Sequence, residues 1–358
     1  MIYVHIPLCK SFCTYCDFYS EITSKTREDA FTKEVCAEIL RRRGEMDRTL
    51  HTLYFGGGTP SLLSLQNLTR ILLSLEEAGM GGPYTEFTME ANPDDIVAMG
   101  PGYIRSLASL GVNRISVGVQ SLDDGMLRWM NRRHDAAAAV KAVEIVREGG
   151  IENISIDLIF GFSNLSDEVW EDTVRKAIDL RPAHISCYQL SVEGGSKLAE
   201  MVEDGLYEEA SDEACRRQYD HLASALSAAG YDHYEISNFA LPGFRAKHNS
   251  GYWARQPYVG LGPSAHSFTG TSRKWNSHQI SGYTSTSEEL SDEDIRVERI
   301  MLSLRTADGI AEKDLLPLTR KGDVDRLVSE GALKRRAARI RIPEDRFFVS
   351  DEIIRELI

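Results

Sequence analysis

Thr52-Leu53-Tyr54-Phe55-Gly56-Gly57-Gly58-Thr59-Pro60 is a short apolar run cut off by three glycines, the pattern of a buried strand ending in a tight loop. A helical pattern follows over residues 64–78, and Glu86-Phe87-Thr88-Met89 reads again as strand. The alternation then recurs as helix 102–110, strand Arg114-Ile115-Ser116-Val117, helix 136–148, strand 154–160, helix 167–180, strand 184–190, helix 212–229 and strand 231–236. Upstream, residues 1–7 read as a strand stopped by proline, and Phe31, Val35, Ile39 and Leu40 mark an amphipathic helix within 27–43. Strands separated by helices of this length predict an α/β fold with a parallel sheet whose crossovers cover its outer face. About six such units predict an open or partial (β/α)6-type barrel, with the working residues gathered where strands end.

The chain has 358 residues, 42% hydrophobic and 27% charged, enough for one large domain and a small one. Residues 270–289 are rich in Ser, Thr and Gly, which places a domain boundary near Ser287 and divides the chain into 1–287 and 288–358. The second unit predicts helices at 295–304 and 324–330, a hairpin pairing Arg339-Ile340-Arg341-Ile342 with Arg346-Phe347-Phe348-Val349, and a helix from Asp351. Helices followed by a two-stranded wing make a small winged-helix-like α+β module. The formal charge of -13 argues against general nucleic-acid binding, and the basic stretch at Lys334, Arg335, Arg336, Arg339 and Arg341 reads as a solvated hairpin. No apolar run approaches the roughly 20 residues that span a bilayer. The first residues do not read as an export signal, so a cytoplasmic location is expected. Cys36, Cys187 and Cys215 are isolated, so the cysteines form no disulfide framework and the compartment reads as reducing.

The other three cysteines lie in Cys9-Lys10-Ser11-Phe12-Cys13-Thr14-Tyr15-Cys16. This C-x3-C-x2-C spacing lets one loop wrap a single 4Fe-4S cluster with three thiolates, where most clusters take four, and leaves one iron open. S-adenosylmethionine fits that opening through its amino and carboxylate groups. An electron passed into its sulfonium can break a carbon-sulfur bond and release a 5'-deoxyadenosyl radical. Zinc is the competing reading, but it normally takes four ligands, often as two separated pairs, and no second pair is present. His5 could serve as a fourth ligand, although a single histidine in an apolar strand more often packs or hydrogen-bonds. Phe12, Tyr15 and Phe18 would shield the cluster.

Further motifs run along the chain: Tyr3-Val4-His5-Ile6-Pro7, Gly56-Gly57-Gly58-Thr59-Pro60, Glu90-Ala91-Asn92-Pro93, Arg114-Ile115-Ser116-Val117-Gly118-Val119-Gln120-Ser121 and Asp157-Leu158-Ile159-Phe160-Gly161. With the cysteines, these resemble the radical-SAM superfamily. More narrowly they resemble the family containing the oxygen-independent coproporphyrinogen III oxidases and the HemW-type heme chaperones. On their own chemistry, the glycines let backbone approach a ligand, and the carboxylates of Glu90 and Asp157 can accept hydrogen bonds from an ammonium or ribose hydroxyls. The resemblance implies that Tyr15, Gly57, Gly58, Thr59, Glu90, Gln120, Arg132 and Asp157 contact S-adenosylmethionine, with Glu90 on its amino group and Tyr3 beside the cluster. Without it, Arg132 could pair with a surface carboxylate and Gln120 could satisfy loop backbone.

Two departures favour the chaperone branch. The oxidases carry a further cysteine two places after the last ligand, where this chain has Phe18, and they resemble longer chains with an N-terminal extension. His248-Asn249-Ser250-Gly251-Tyr252-Trp253 also matches the H-N-x-x-Y-W motif of HemW-type proteins, which makes His248 the candidate axial ligand for heme. The alternative is that His248 and Trp253 anchor this segment to the barrel. His266, in Tyr258-Val259-Gly260-Leu261-Gly262-Pro263-Ser264-Ala265-His266-Ser267-Phe268, ranks second. The resemblance thus implies heme as cargo, an acceptor protein and an electron donor. The rival reading is a radical enzyme that oxidatively decarboxylates coproporphyrinogen III.

Overall fold

A computed structural model of the chain describes residues 1–46, 52–320 and 322–358. It opens with β1 (Ile2–Ile6) and a two-stranded ladder of β2 (Leu8–Cys9) and β3 (Glu21–Ile22). The strand-helix alternation then runs α1 (Lys25–Arg41), β4 (Thr52–Gly57), α2 (Leu65–Glu77), β5 (Glu86–Ala91), α3 (Pro93–Ser109), β6 (Arg114–Gln120), α4 (Asp124–Trp129), α5 (Ala136–Glu148), β7 (Ile154–Phe160), α6 (Asp167–Asp179) and β8 (His184–Gln189). Serine or aspartate side chains start many of these helices by accepting from the N3 amide, as Ser24, Ser64, Asp123, Asp135 and Ser166 do. α3 begins earlier than the pattern suggested, because Pro93 and two aspartates suit a first turn and Gly100 (φ 68°) kinks the helix without ending it.

The edges of the sheet depart from the alternation. After α7 (Lys197–Glu203) and α8 (Asp212–Ala228), β9 (Asp232–Glu235) and β10 (Asn238–Ala240) form a hairpin, and β10 pairs antiparallel with β8. The run 231–236 is therefore not a further parallel strand: only two residues separate it from its neighbour, too few for a crossover. Beyond α9 (Lys247–Trp253), β11 (Val259–Leu261) returns to pair parallel with β1. The main sheet has the order β11-β1-β4-β5-β6-β7-β8-β10-β9. Its core is the outward-facing apolar set of these strands, including Val4, Phe55, Met89, Val117 and Ile156, packed under the helices. No helix among the described residues is long and apolar enough to cross a membrane.

The expected boundary at Ser287 falls inside a strand: β12 (His266–Phe268), β13 (Ser272–Asn276) and β14 (Ser285–Glu289) form a small antiparallel sheet with Ser287 opposite Lys274. The chain ends with α10 (Asp292–Leu304), β15 (Ile310–Ala311), α11 (Glu312–Leu315), α12 (Asp323–Ser329), β16 (Lys334–Arg336), β17 (Arg339–Arg341) and α13 (Ser350–Arg355), with sheet order β15-β17-β16. The hairpin partner of β17 is β16, joined through Ala337 and Ala338 at positive φ. Arg346-Phe347-Phe348-Val349 is instead a 3-10 turn, entered through Pro343, that buries Phe347. Three basic residues of the hairpin bond locally: Arg335 pairs with Glu312 and Asp325, Arg341 with Glu344, and Arg339 donates to the carbonyls of Asp308 and Gly309.

Candidate functional site

The strand ends open on one cavity of about 930 Å³, lined among others by Cys9, Cys13, Cys16, Tyr15, Gly57, Gly58, Thr59, Glu90, Gln120, Arg132 and Asp157. The cysteine loop is pinned to the turn after α4. Thr14 donates its amide to Met130 O (3.1 Å) and its hydroxyl to Trp129 O (3.0 Å), and Asn131 Nδ2 donates to Phe12 O (2.7 Å). From the other side Lys10 Nζ reaches Asp95 (2.6 Å), which also receives Arg133. The bonds made by the cysteine loop itself join residues more than eighty positions apart and hold the three thiols on a common wall.

Around the thiols stand hydrogen-bonding groups. Thr59 Oγ1 lies 3.6 Å from Cys9 Sγ and accepts from Asn92 Nδ2 at 3.1 Å. Arg132 Nη1 donates to Cys13 Sγ at 3.3 Å, while Nη2 donates to Asn92 Oδ1 (2.5 Å) and Gly118 O (2.6 Å). Burial pushes the Cys9 thiol up and the Cys16 thiol up to about 11, so the thiolates of these two need a cationic centre to be stable. Among the described residues no three His, Cys, Asp or Glu side chains converge on one metal ion. A cubane takes each thiolate on a separate iron, so the three-thiol wall, the arginine on one sulfur and the adjoining cavity fit an iron-sulfur cluster with a ligand beside it.

Glu90 occupies the next step of the wall. Tyr54 hydroxyl donates to its Oε1 (2.7 Å) and the Gly57 amide to its Oε2 (3.1 Å). Burial nonetheless pushes its carboxyl up to about 7, opposed by the Tyr54 bond and reinforced by Asp157. Asp157 is raised likewise by burial and is held by the Ser116 hydroxyl at 3.1 Å. The glycines serve this arrangement differently from a simple ligand approach. A Cβ on Gly56 would lie 2.9 Å from Glu90 Oε1, and one on Gly57 (φ 105°) 2.6 Å from the His5 ring. Their missing side chains make room for Glu90 and His5.

Arg114, Ser116, Asn92 and Ser186 also line the cavity, although sequence reasoning gave them no role. A signal existed. In β6, Arg114, Ser116, Gly118 and Gln120 alternate toward the cavity while Ile115, Val117 and Val119 are buried on the other side, the period of two that marks opposite faces of a strand. Gln120 ends the strand at φ 65°, a backbone state few non-glycine residues adopt.

His5, Tyr3 and His248 do not join the cavity wall. His5 is neutral, its pKa lowered to about 4 by burial; it accepts from Tyr3 hydroxyl (3.1 Å) and donates to Tyr19 O (2.9 Å), so it is a packed residue rather than a fourth ligand. His248 is fully buried: Nδ1 pairs with Thr52 Oγ1 (2.9 Å), Nε2 with Tyr252 hydroxyl (2.8 Å), and its amide donates to Glu86. With both ring nitrogens hydrogen-bonded, His248 is set back from the cavity rather than on its wall. Its ring packs 5.1 Å from that of Tyr54, the residue holding Glu90.

The radical SAM superfamily model matches residues 3–177. Heme chaperone HemW of Lactococcus lactis is 34% identical over 316 residues, covering 86% of this chain and 82% of the relative. Heme chaperone HemW of Mycobacterium tuberculosis is 30% identical over 377 residues, covering 100% of this chain and 94% of the relative. Among solved structures, coproporphyrinogen III oxidase (HemN) from Escherichia coli superposes with a TM-score of 0.80 at 20% identity, over 99% of this chain and 89% of that one, which establishes the shared radical-SAM fold. With the cysteine triad, the partial barrel and relatives matched along nearly their full length, the chain belongs to the radical-SAM superfamily and, within it, to the family of HemW heme chaperones.

Proposed function

We propose that this chain is a cytoplasmic heme chaperone that takes up heme and passes it to an acceptor protein. In this reading Cys9, Cys13 and Cys16 hold a 4Fe-4S cluster, S-adenosylmethionine is its exchangeable ligand, and an electron donor serves the cluster. The observation that carries the reading is similarity to HemW chaperones along the whole chain, joined to a cavity with three thiols at one end. When bound, the cluster and sulfonium supply a site for one-electron chemistry.

The chain's own residues bind and orient. Glu90, fixed by Tyr54 and Gly57, takes the amino group of S-adenosylmethionine, and Asp157, fixed by Ser116, accepts from hydroxyl donors. Arg132 and Thr59 steady the thiolates of Cys13 and Cys9 through charge and hydrogen bonding. Tyr15 and the Gly57-Gly58 turn close the wall, Gln120 supplies an amide at its rim, and Tyr3 acts through His5. The site lies within residues 1–287, and the part of the chain that follows β14 would pack as a separate module.

Anaerobically reconstituted protein given reductant, S-adenosylmethionine and either heme or coproporphyrinogen III tests the reading. Stoichiometric heme retention with no decarboxylated porphyrin is expected. A vinyl-bearing porphyrin formed over many turnovers would overturn it in favour of an oxidase.

A further inference from the structure

We propose that His278 is the ligand this chain offers to heme iron, at the rim of the cavity that holds the three thiols. The inference rests on the heme reading above and deepens it. A histidine binds heme iron through a ring nitrogen with a free lone pair, so the candidates are those whose nitrogens are unengaged. The chain has nine histidines, of which His51 lies outside the described residues. His5, His184 and His248 engage both ring nitrogens in hydrogen bonds, and His233, bonded to Tyr219, lies off the cavity. His134 lines the cavity and binds Val119 O through Nε2, but its free Nδ1 is buried in the wall, out of reach of a macrocycle. For His248 the bond at the coordinating nitrogen would have to break, a loss of about 1 kcal/mol before the cost of leaving its partner buried and unpaired. His221 lies on α8, 4.0 Å from Glu171 and away from the cavity.

His266 and His278 remain, both exposed and without a hydrogen bond on the ring among the described residues. Only His278 lines the cavity. Its ring stacks on Tyr19 at 5.3 Å and 21°, which fixes its orientation while leaving the ring nitrogens free. Tyr19 is itself held by His5 through its carbonyl. Next to Tyr19, Phe18 is 64% exposed, and Phe12 on the same wall is 51% exposed. Large aromatic rings left in water on the same cavity as a free imidazole suit a flat apolar macrocycle, whose burial against them would recover their exposed area.

The test is a hemin titration of the anaerobically reconstituted full chain, followed by its absorption spectrum. His278→Ala is expected to weaken binding at least tenfold and to remove the band shift of imidazole-ligated iron. Iron and sulfide content should stay at the parent's level, because the ring's neighbour is Tyr19 rather than a thiol. His278→Met should still take up heme but with a shifted spectrum, the signature of an exchanged ligand rather than a misfolded chain. Parent-like spectra in both variants overturn the assignment, as does a loss confined to His266→Ala or His248→Gln. A parent chain that takes up no heme at all overturns the heme function itself, and this assignment with it.

Discussion

Tyr54→Phe removes one hydroxyl, and its effect on S-adenosylmethionine binding should depend on pH. The Tyr54 hydroxyl donates to Glu90 Oε1 at 2.7 Å and opposes the burial that pushes the Glu90 carboxyl up to about 7. A hydrogen bond to a charged group contributes about 1.5–3 kcal/mol. At about 1.4 kcal/mol per pH unit, its loss raises the carboxyl by roughly one to two units. If the ammonium requires the carboxylate, at about pH 7.5 the ionised fraction falls from roughly three-quarters to between a quarter and a thirtieth, weakening binding roughly three- to twenty-five-fold. The deficit should close toward about pH 10, where both proteins carry an ionised Glu90. The assay is the spectroscopic response of the reconstituted cluster to titrated S-adenosylmethionine. It is read as the ratio of variant to parent at each pH, so that the ligand's own titration cancels. A ratio of one at both pH values, or a deficit that stays constant with pH, would refute the claim that Tyr54 acts by keeping Glu90 ionised.

Gly57→Ala should destabilise the fold by about 2–4 kcal/mol in denaturant melts, since φ is 105° and the new Cβ would lie 2.6 Å from the His5 ring; a loss under 1 kcal/mol would show that the turn can adjust. Glu235 is fully buried and burial pushes its carboxyl up to about 7, so the folded state holds a proton that the unfolded state releases near 4.5. The parent should therefore lose a few kcal/mol relative to Glu235→Gln as pH rises from about 5 to about 8, and parallel stability curves would sink the assignment.

Much of the site was legible as local chemistry. The C-x3-C-x2-C loop, the strand stopped by Gly56-Gly57-Gly58 and the carboxylates of Glu90 and Asp157 stand at strand ends or on strands, and the sheet brings them to one cavity as the alternation implied. That alternation follows from hydrophobic periodicity, a short-range property that a one-dimensional chain carries in full. It also contained the cavity-facing face of β6, although the pattern cannot say which face looks inward.

The tertiary structure decided whatever depends on distant partners. Val259–Leu261 became an edge strand only because β1 presents an open ladder to it, a pairing between residues more than 250 positions apart. His248 and His278 are both single histidines in polar surroundings of sequence. One is closed in by Thr52 and Tyr252, while the other is left at the rim beside Tyr19. Residue type and spacing determine what chemistry a side chain is capable of. Burial, set by segments that meet only on folding, determines which nitrogen, sulfur or carboxylate is left free to perform it.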